Sequence, residues 1–194
     1  MTMHRMIAAL SAVGALGLAG CDFLSTRPAV PPVDSSPVCR TSRSTPLDLF
    51  TDVKCALDAR SNGEPVYEDV LDENYLFVMD PQEAVSIGPP GSWGRPTDVS
   101  FLAASNLRLD SVRVEFSAQQ ETGVGQDAAM ADTAHWTCTY LVTTRAAGVT
   151  DSTQFAGDAD VTFRRGPGSA TWAIYRWVDH KVSGLRTIGF QRRS

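Results

Sequence analysis

Cysteine is scarce in this chain, with four in 194 residues, and histidine is scarcer, with three. Four cysteines are too few for a miniprotein held together by bridges in place of a core. Basic runs are missing as well: 17 Lys and Arg stand against 22 Asp and Glu, for a formal charge of −5. Such a balance offers no electrostatic footprint for nucleic acid, which is excluded as an expected partner. No sustained heptad repeat supports a coiled coil. The longest apolar run, Met6 to Gly20, has fifteen residues, short of the roughly 18 to 20 that span a bilayer as a helix. The strings Gly88–Gly94 and Gly166–Gly168 contain prolines, which lack a backbone donor, and no Lys-Ser/Thr follows either one, so neither reads as a phosphate cradle. What remains is a single-domain globular composition, 43% hydrophobic and 20% charged.

The amino terminus has its own logic. Arg5 precedes the apolar run MIAALSAVGALGLAG, the pattern of a secretory signal. The run ends in Leu18-Ala19-Gly20-Cys21, which resembles the bacterial lipobox. That resemblance implies cleavage before Cys21, a diacylglycerol thioether on its sulfur and palmitate-type acylation. Two or three acyl chains anchor stably, because each buried CH₂ contributes about 0.8 kcal/mol and one chain alone is marginal. The expected division is therefore a signal peptide over 1–20, a lipidated Cys21 with a Pro/Ser-rich tether over 21–44, and a domain over 45–194. The expected location is the bacterial cell envelope, on either membrane. Removal of residues 1–20 takes away Arg5 and no acid, so the mature chain is more acidic still. Its attachment would come from lipid, not from attraction to anionic headgroups.

Residues 22–45 carry prolines at 28, 31, 32 and 37 and no apolar period, as a tether does. Thr45-Pro46-Leu47-Asp48 then has the form of a helix start, and Leu47, Phe50, Val53 and Leu57 recur on one face to about Arg60. Glu64-Pro65 opens a second helix through Leu71. Tyr75–Met79 reads as a buried strand closed by Asp80-Pro81, and a Gly/Pro-rich loop leads to a third helix over 96–107. Past Leu109 the period changes to two. Val112, Val114 and Phe116 mark one strand; Trp136, Cys138, Tyr140 and Val142 a second; Phe155, Ala159, Val161 and Phe163 a third. In the last strand, 170–182, alternation places Trp172 and Ile174 on one side with Arg176, and Tyr175 and Trp177 on the other with Asp179. Short polar turns imply antiparallel pairing in sequence, hence an α+β fold with helices first and a meander after.

With Cys21 acylated, three thiols remain and allow at most one internal bridge. At about 100° per residue, Cys55 points away from the apolar face of its helix and toward the tether, where Cys39 lies. A Cys39–Cys55 disulfide is expected, with three reduced thiols as the alternative. Cys138 lies among core positions and serves as a small hydrophobe. His135 and His180 show no metal-ligand spacing, so no metal and no cofactor is expected. Arg186, Arg192 and Arg193 read as a solvated tail.

The element order from Pro46 to Asp80 (PLDLFTDVKCALDARSNGEPVYEDVLDENYLFVMD), the turn Leu71-Asp72-Glu73-Asn74-Tyr75 and the closing string Trp172-Ala-Ile-Tyr-Arg-Trp-Val-Asp179 resemble the nuclear transport factor 2-like (NTF2-like, SnoaL-like) superfamily. The resemblance implies a cone, a strongly curved antiparallel sheet wrapped around the helices, whose open end can hold a small apolar ligand. It also implies either a non-catalytic binding role or isomerase and dehydratase chemistry, in which a carboxylate base faces an acid or a Tyr hydroxyl. Candidate acids are Asp179, Asp158 and Asp160, and candidate pocket residues are Tyr75, Phe77, Trp93, Trp136, Tyr140, Tyr175 and Trp177. None of them matches a catalytic position of the superfamily residue by residue. Trp93, in the Gly/Pro loop, is read as a plug on the cone in preference to a lid.

Aromatics on both faces of the last strand require a cover for the outer one. A homodimer through the sheet face supplies it, and the strong curvature of the sheet or the segment from Leu185 to Phe190 is the alternative. The leading functional expectation is an envelope lipoprotein that binds a small apolar ligand or a protein partner without catalysis. An isomerase/dehydratase using a pocket Asp and Tyr, and a structural role in envelope assembly, are the alternatives.

Overall fold

The computed structural model describes Cys39 and residues 41–193, apart from Pro89 and Ser183. The signal segment, the Cys21 lipidation site and nearly all of the tether lie outside the described residues.

Helix α1 (Pro46–Asp58) begins with a capping box. The Thr45 hydroxyl accepts the Asp48 N–H at 3.3 Å, and the Asp48 carboxylate accepts the Thr45 N–H at 3.1 Å. Its buried face is Leu49, Phe50, Val53, Ala56 and Leu57. Leu47 is 45% exposed, contrary to the sequence reading. The face centres on Leu49, Val53 and Ala56, which at 100° per residue leaves position 47 to one side. Cys39 is disulfide-bonded to Cys55 of α1, with a Cα–Cα distance of 5.4 Å. Nearby, the buried Asp52 accepts the Thr41 N–H at 2.8 Å.

A 3-10 turn (Arg60–Gly63) leads into α2 (Glu64–Val70) and directly into strand β1 (Leu71–Val78), so Leu71 opens the strand and does not end the helix. Asp80-Pro81 closes β1, and it also starts α3 (Pro81–Ile87), a helix the sequence reading left unassigned. The Asp80 carboxylate caps it by accepting the N–H groups of Gln82 and Glu83 at 2.9 and 3.3 Å, with Pro81 in the first helical position. A short β2 (Ser92–Gly94) and α4 (Arg95–Arg108) follow. The meander then runs through β3 (Leu109–Gln126), β4 (Asp132–Ala146), β5 (Ser152–Arg165) and β6 (Ala173–Lys181).

The six strands form one curved, unclosed sheet in the order β2-β1-β6-β5-β4-β3. The meander pairs are antiparallel as expected. One pairing departs from a wholly antiparallel sheet: β1 adds to the free edge of β6 in parallel. The elements from α3 to β5 form the long connection that a parallel pair requires.

A register shift in β6 corrects the expected alternation. Thr162 pairs with Arg176 while its neighbour Phe163 pairs with Ile174, so Tyr175 is the extra residue of a bulge. Ile174, Trp177 and Asp179 consequently share the buried face, at 1%, 6% and 0% exposure. Tyr175 is left outside, with the Arg164 guanidinium 5.6 Å from its ring centre, and the half-buried Trp172 has Arg165 at 4.8 Å. Of the aromatics of β6, Tyr175 alone faces out, and Trp172 packs against the core.

The carboxyl-terminal segment is not a solvated tail. Arg186 bridges to Phe155, and α5 (Ile188–Arg193) follows with Ile188 and Arg192 buried. None of the helices among the described residues is long and apolar enough to cross a membrane.

Candidate functional site

Inside the cone, α4, α2, β1, β2 and α5 meet at Asp98, which is fully buried. Its Oδ1 accepts the Trp93 indole N–H at 2.8 Å, and its Oδ2 accepts the Tyr67 hydroxyl at 2.7 Å. Arg192 Nη1 donates to both oxygens, at 2.8 and 3.0 Å, and Arg192 Nη2 donates to the Tyr67 oxygen at 2.6 Å. The Arg192 guanidinium also acts electrostatically on the buried Tyr75 phenol. It sits 4.9 Å from the Phe77 ring centre and 5.6 Å from that of Tyr67. Phe77 stacks on Trp93 at 4.5 Å. Burial, reinforced by the Asp98 charge, pushes the Tyr67 and Tyr75 phenols well above their ordinary range. Burial acts to lower the Arg192 pKa, but the interactions with Asp98, Tyr67, Tyr75 and Asp179 together outweigh it and the net shift is upward, so the guanidinium stays charged.

A second cluster joins β4, β6 and α5. The Tyr140 hydroxyl donates to Asp179 Oδ1 at 2.6 Å, and the Gly189 N–H donates to Asp179 Oδ2 at 2.9 Å. The Ile188 N–H donates to the Tyr140 oxygen at 3.0 Å. Burial raises the Asp179 carboxyl, with Tyr140 and the Gly189 amide pulling it down, and burial raises the Tyr140 phenol. Two glycines make the arrangement possible. A Cβ at Gly157 would lie 2.5 Å from the Tyr140 hydroxyl oxygen, and one at Gly189 would meet Met79, Asp179 and Phe77 at 2.9–3.0 Å. A third buried acid, Glu83 on α3, accepts the Thr187 hydroxyl at 2.6 Å and the Thr187 N–H at 3.2 Å.

The residues singled out in the sequence separate into groups. Tyr75, Phe77 and Trp93 line the Asp98 cluster, where Trp93 packs as a plug and is 5% exposed. Tyr140 and Asp179 form the second cluster, with Trp177 beside it at 6.2 Å from Tyr140. Trp136 packs against Phe50 at 6.3 Å. The indole N–H groups of Trp136 and Trp177 are buried without an acceptor among the described residues. Tyr175 is outside. Asp158 and Asp160 are exposed on the outer face, where Asp158 accepts the Thr139 hydroxyl at 2.7 Å and Asp160 pairs with His180 at 2.8 Å. Neither acid is available to chemistry inside the cone. Among the described residues, no group of three or more His, Cys, Asp or Glu could hold a metal ion.

Sequence reasoning missed Tyr67, Glu83, Asp98 and Arg192. For Asp98 a signal was present: it shares the helical spacing of the buried Leu102, Ser105 and Asn106. Arg192 gave none, because a cation in a terminal segment has no periodic context.

Chemically, an inward carboxylate with a raised pKa beside a phenol is the kind of pair that proton abstraction needs. Here both oxygens of Asp179 are engaged, one by Tyr140 and one by α5. The void beneath α5, bordered by Leu57, Leu102, Val142 and Ile188, measures about 20 Å³, room for roughly one water molecule.

No family model and no curated protein matches the sequence. Solved structures do match in shape. The chain is similar to a candidate aromatic ring hydroxylase of Novosphingobium aromaticivorans, with TM-score 0.60 and 16% identity over 79% of this chain and 96% of that one. It is similar to a candidate scytalone dehydratase of the same organism, with TM-score 0.52 and 16% identity over 73% and 89%. A third is a candidate dehydratase of the NTF2-like family from Streptomyces avermitilis, with TM-score 0.50 and 16% identity over 69% and 91%. The fold is the NTF2-like cone, and the resemblance read in the sequence holds at the level of fold. Fold does not deliver function, which lives in the site.

Proposed function

We propose that this chain is an exported, lipid-anchored protein of the bacterial cell envelope whose NTF2-like domain binds a protein partner without catalysis. The observation that carries the non-catalytic reading is that α5 fills the space between Asp98 and Asp179, with both acids hydrogen-bonded to it. A substrate carbonyl would have to displace that helix to reach either carboxylate. The same filling argues against a resident small apolar ligand and leaves the protein partner. The anchor reading is supported by Arg5, the run Met6–Gly20 and Leu18-Ala19-Gly20-Cys21.

Two measurements test the two halves. Radiolabelled palmitate should enter the wild-type chain in a bacterial host and be absent from Cys21→Ser, which should move from the membrane fraction to the soluble one. Equal labelling of both chains would defeat the anchor. Lipophilic hydroxy-ketones incubated with the purified chain should be recovered unchanged. Turnover abolished by Asp179→Asn or Asp98→Asn would defeat the non-catalytic reading and establish the dehydratase alternative.

A further inference from the structure

The hydrogen bonds by which residues 187–192 meet the rest of the cone run one way, while just before them the Arg186 carbonyl accepts the Ala156 N–H at 2.9 Å. The segment supplies the donors: the Thr187 hydroxyl and N–H, the Ile188 and Gly189 amides, and the Arg192 guanidinium. The domain supplies the acceptors: Glu83, Tyr140, Asp179, Asp98 and the Tyr67 oxygen. Residues 186–194 (RTIGFQRRS) hold three arginines and no acid, while the whole chain is net −5. One carboxylate, Asp98, with the faces of Phe77 and Tyr67 around a single guanidinium is a recognition arrangement for a cation. A core of this size has no need of three buried acids for stability, since buried ion pairs are often no better than apolar packing of the same volume.

We propose that the cone is a receptor for an arginine-bearing peptide segment, filled in one molecule by its own α5, and that it accepts the same segment from a second copy of this chain. The partner is fixed by complementarity. Any occupant must offer a helix-starting run of amide donors followed by a guanidinium, with a glycine where Phe77, Met79 and Asp179 close in, and residues 186–194 of another copy meet all of these terms. Exchange of an identical element between protomers forms a dimer with no new contact. The inference rests on the reading of the cone as a non-catalytic binding site and names its partner.

The experiment uses contact between Ser105 Oγ on α4 and Gln191 Nε2 on α5, 3.3 Å apart. Two full-length chains are made in a Cys21→Ser background, one with Ser105→Cys and one with Gln191→Cys. Mixed and oxidised, they should give a one-to-one disulfide dimer, because each carries only half of the pair. Asp98→Asn in the Ser105→Cys chain should lower the dimer yield about tenfold, and free RTIGFQRRS peptide should compete with it. The double variant Ser105→Cys/Gln191→Cys should close within one chain, showing that the geometry is intact. Internal closure of the double variant with no dimer from the mixture would overturn the proposal, as would a dimer whose yield ignores both Asp98 and the peptide. These outcomes are independent of turnover, so failure here and failure of the non-catalytic reading are told apart.

Discussion

Arg192 and Asp98 form a buried ion pair across 94 positions of sequence, with Nη1 2.8 Å from Oδ1 and side-chain exposures of 8% and 0%. It fastens the last helix to α4, and the Tyr67 hydroxyl ties α2 to both partners, donating to Asp98 and accepting from Arg192. Three elements distant in sequence are thereby locked around one carboxylate.

Removal of one partner leaves the other charge buried and unpaired. Arg192→Ala is expected to cost about 3–5 kcal/mol, and Asp98→Ala a similar amount. An apolar double replacement, Asp98→Leu/Arg192→Met, should cost less than either single change, because no charge is stranded. Urea midpoints of the four chains check this, and a double variant whose loss equals the sum of the singles would show that the two residues are not coupled.

The pH dependence has two limbs of opposite sign. The Asp179 carboxyl is raised above its ordinary 3.8 by burial, so between 3.8 and its folded value the native state holds a proton that the unfolded state has lost. Stability from this group is present below 3.8 and is lost as pH rises through the folded value. Asp127 is held below its ordinary value by the Ala131 N–H, and Asp132 by the Arg165 guanidinium. Their contribution is present above 3.8 and is lost as pH falls through their lowered values. Urea titrations from acid to neutral pH should show both limbs, and Asp179→Asn should flatten the upper one. An unchanged upper limb in that variant would assign it to another group.

The helices and the meander were legible because each is announced locally, by Thr45-Pro46 with its Asp48 box and by strict alternation from Val112 to Phe163. The same grammar located α3 in principle, since Asp80-Pro81 is a cap and a first-turn proline, but the pair was read only as a strand ending. The bulge at Tyr175 was not legible: one extra residue inverts the faces of Ile174 relative to Trp177, and no local signal distinguishes it from plain alternation. At the site, Asp179 and Tyr140 were named because they sit on aromatic-rich strands. Arg192 was not, because its role comes from a tertiary contact with a residue 94 positions away. The parallel pairing of β1 with β6 is of the same non-local kind.

Cys138 should be silent to thiol reagents in the native protein. It is 3% exposed, and burial together with the charges of Asp158, Asp179 and Asp160 pushes its thiol up to about 12, where almost no thiolate exists at neutral pH. In a Cys21→Ser background, iodoacetamide at pH 8 should leave the folded chain unlabelled and modify Cys138 once urea unfolds it. Rapid labelling of the folded chain would mean that the inner face of β4 opens far more often than its packing implies.

The Cys39–Cys55 bond ties the stretch preceding α1 back onto that helix across a separation of 16 residues. A loop of that length removes unfolded-state freedom worth about 3 kcal/mol in the chain-entropy account. The Asp52 carboxylate holds the Thr41 N–H in the same stretch, so part of the local structure has a second support. The double variant Cys39→Ser/Cys55→Ser should therefore fold, with a lower Tm and a loss of about 2–4 kcal/mol in urea. The bond also reports on compartment. Chain made in a reducing cytosol should carry two additional alkylatable thiols, and exported chain should carry neither. Equal alkylation of both preparations would show that the pair stays reduced on export and that α1 keeps its place through the Asp52 contact and the capping box alone.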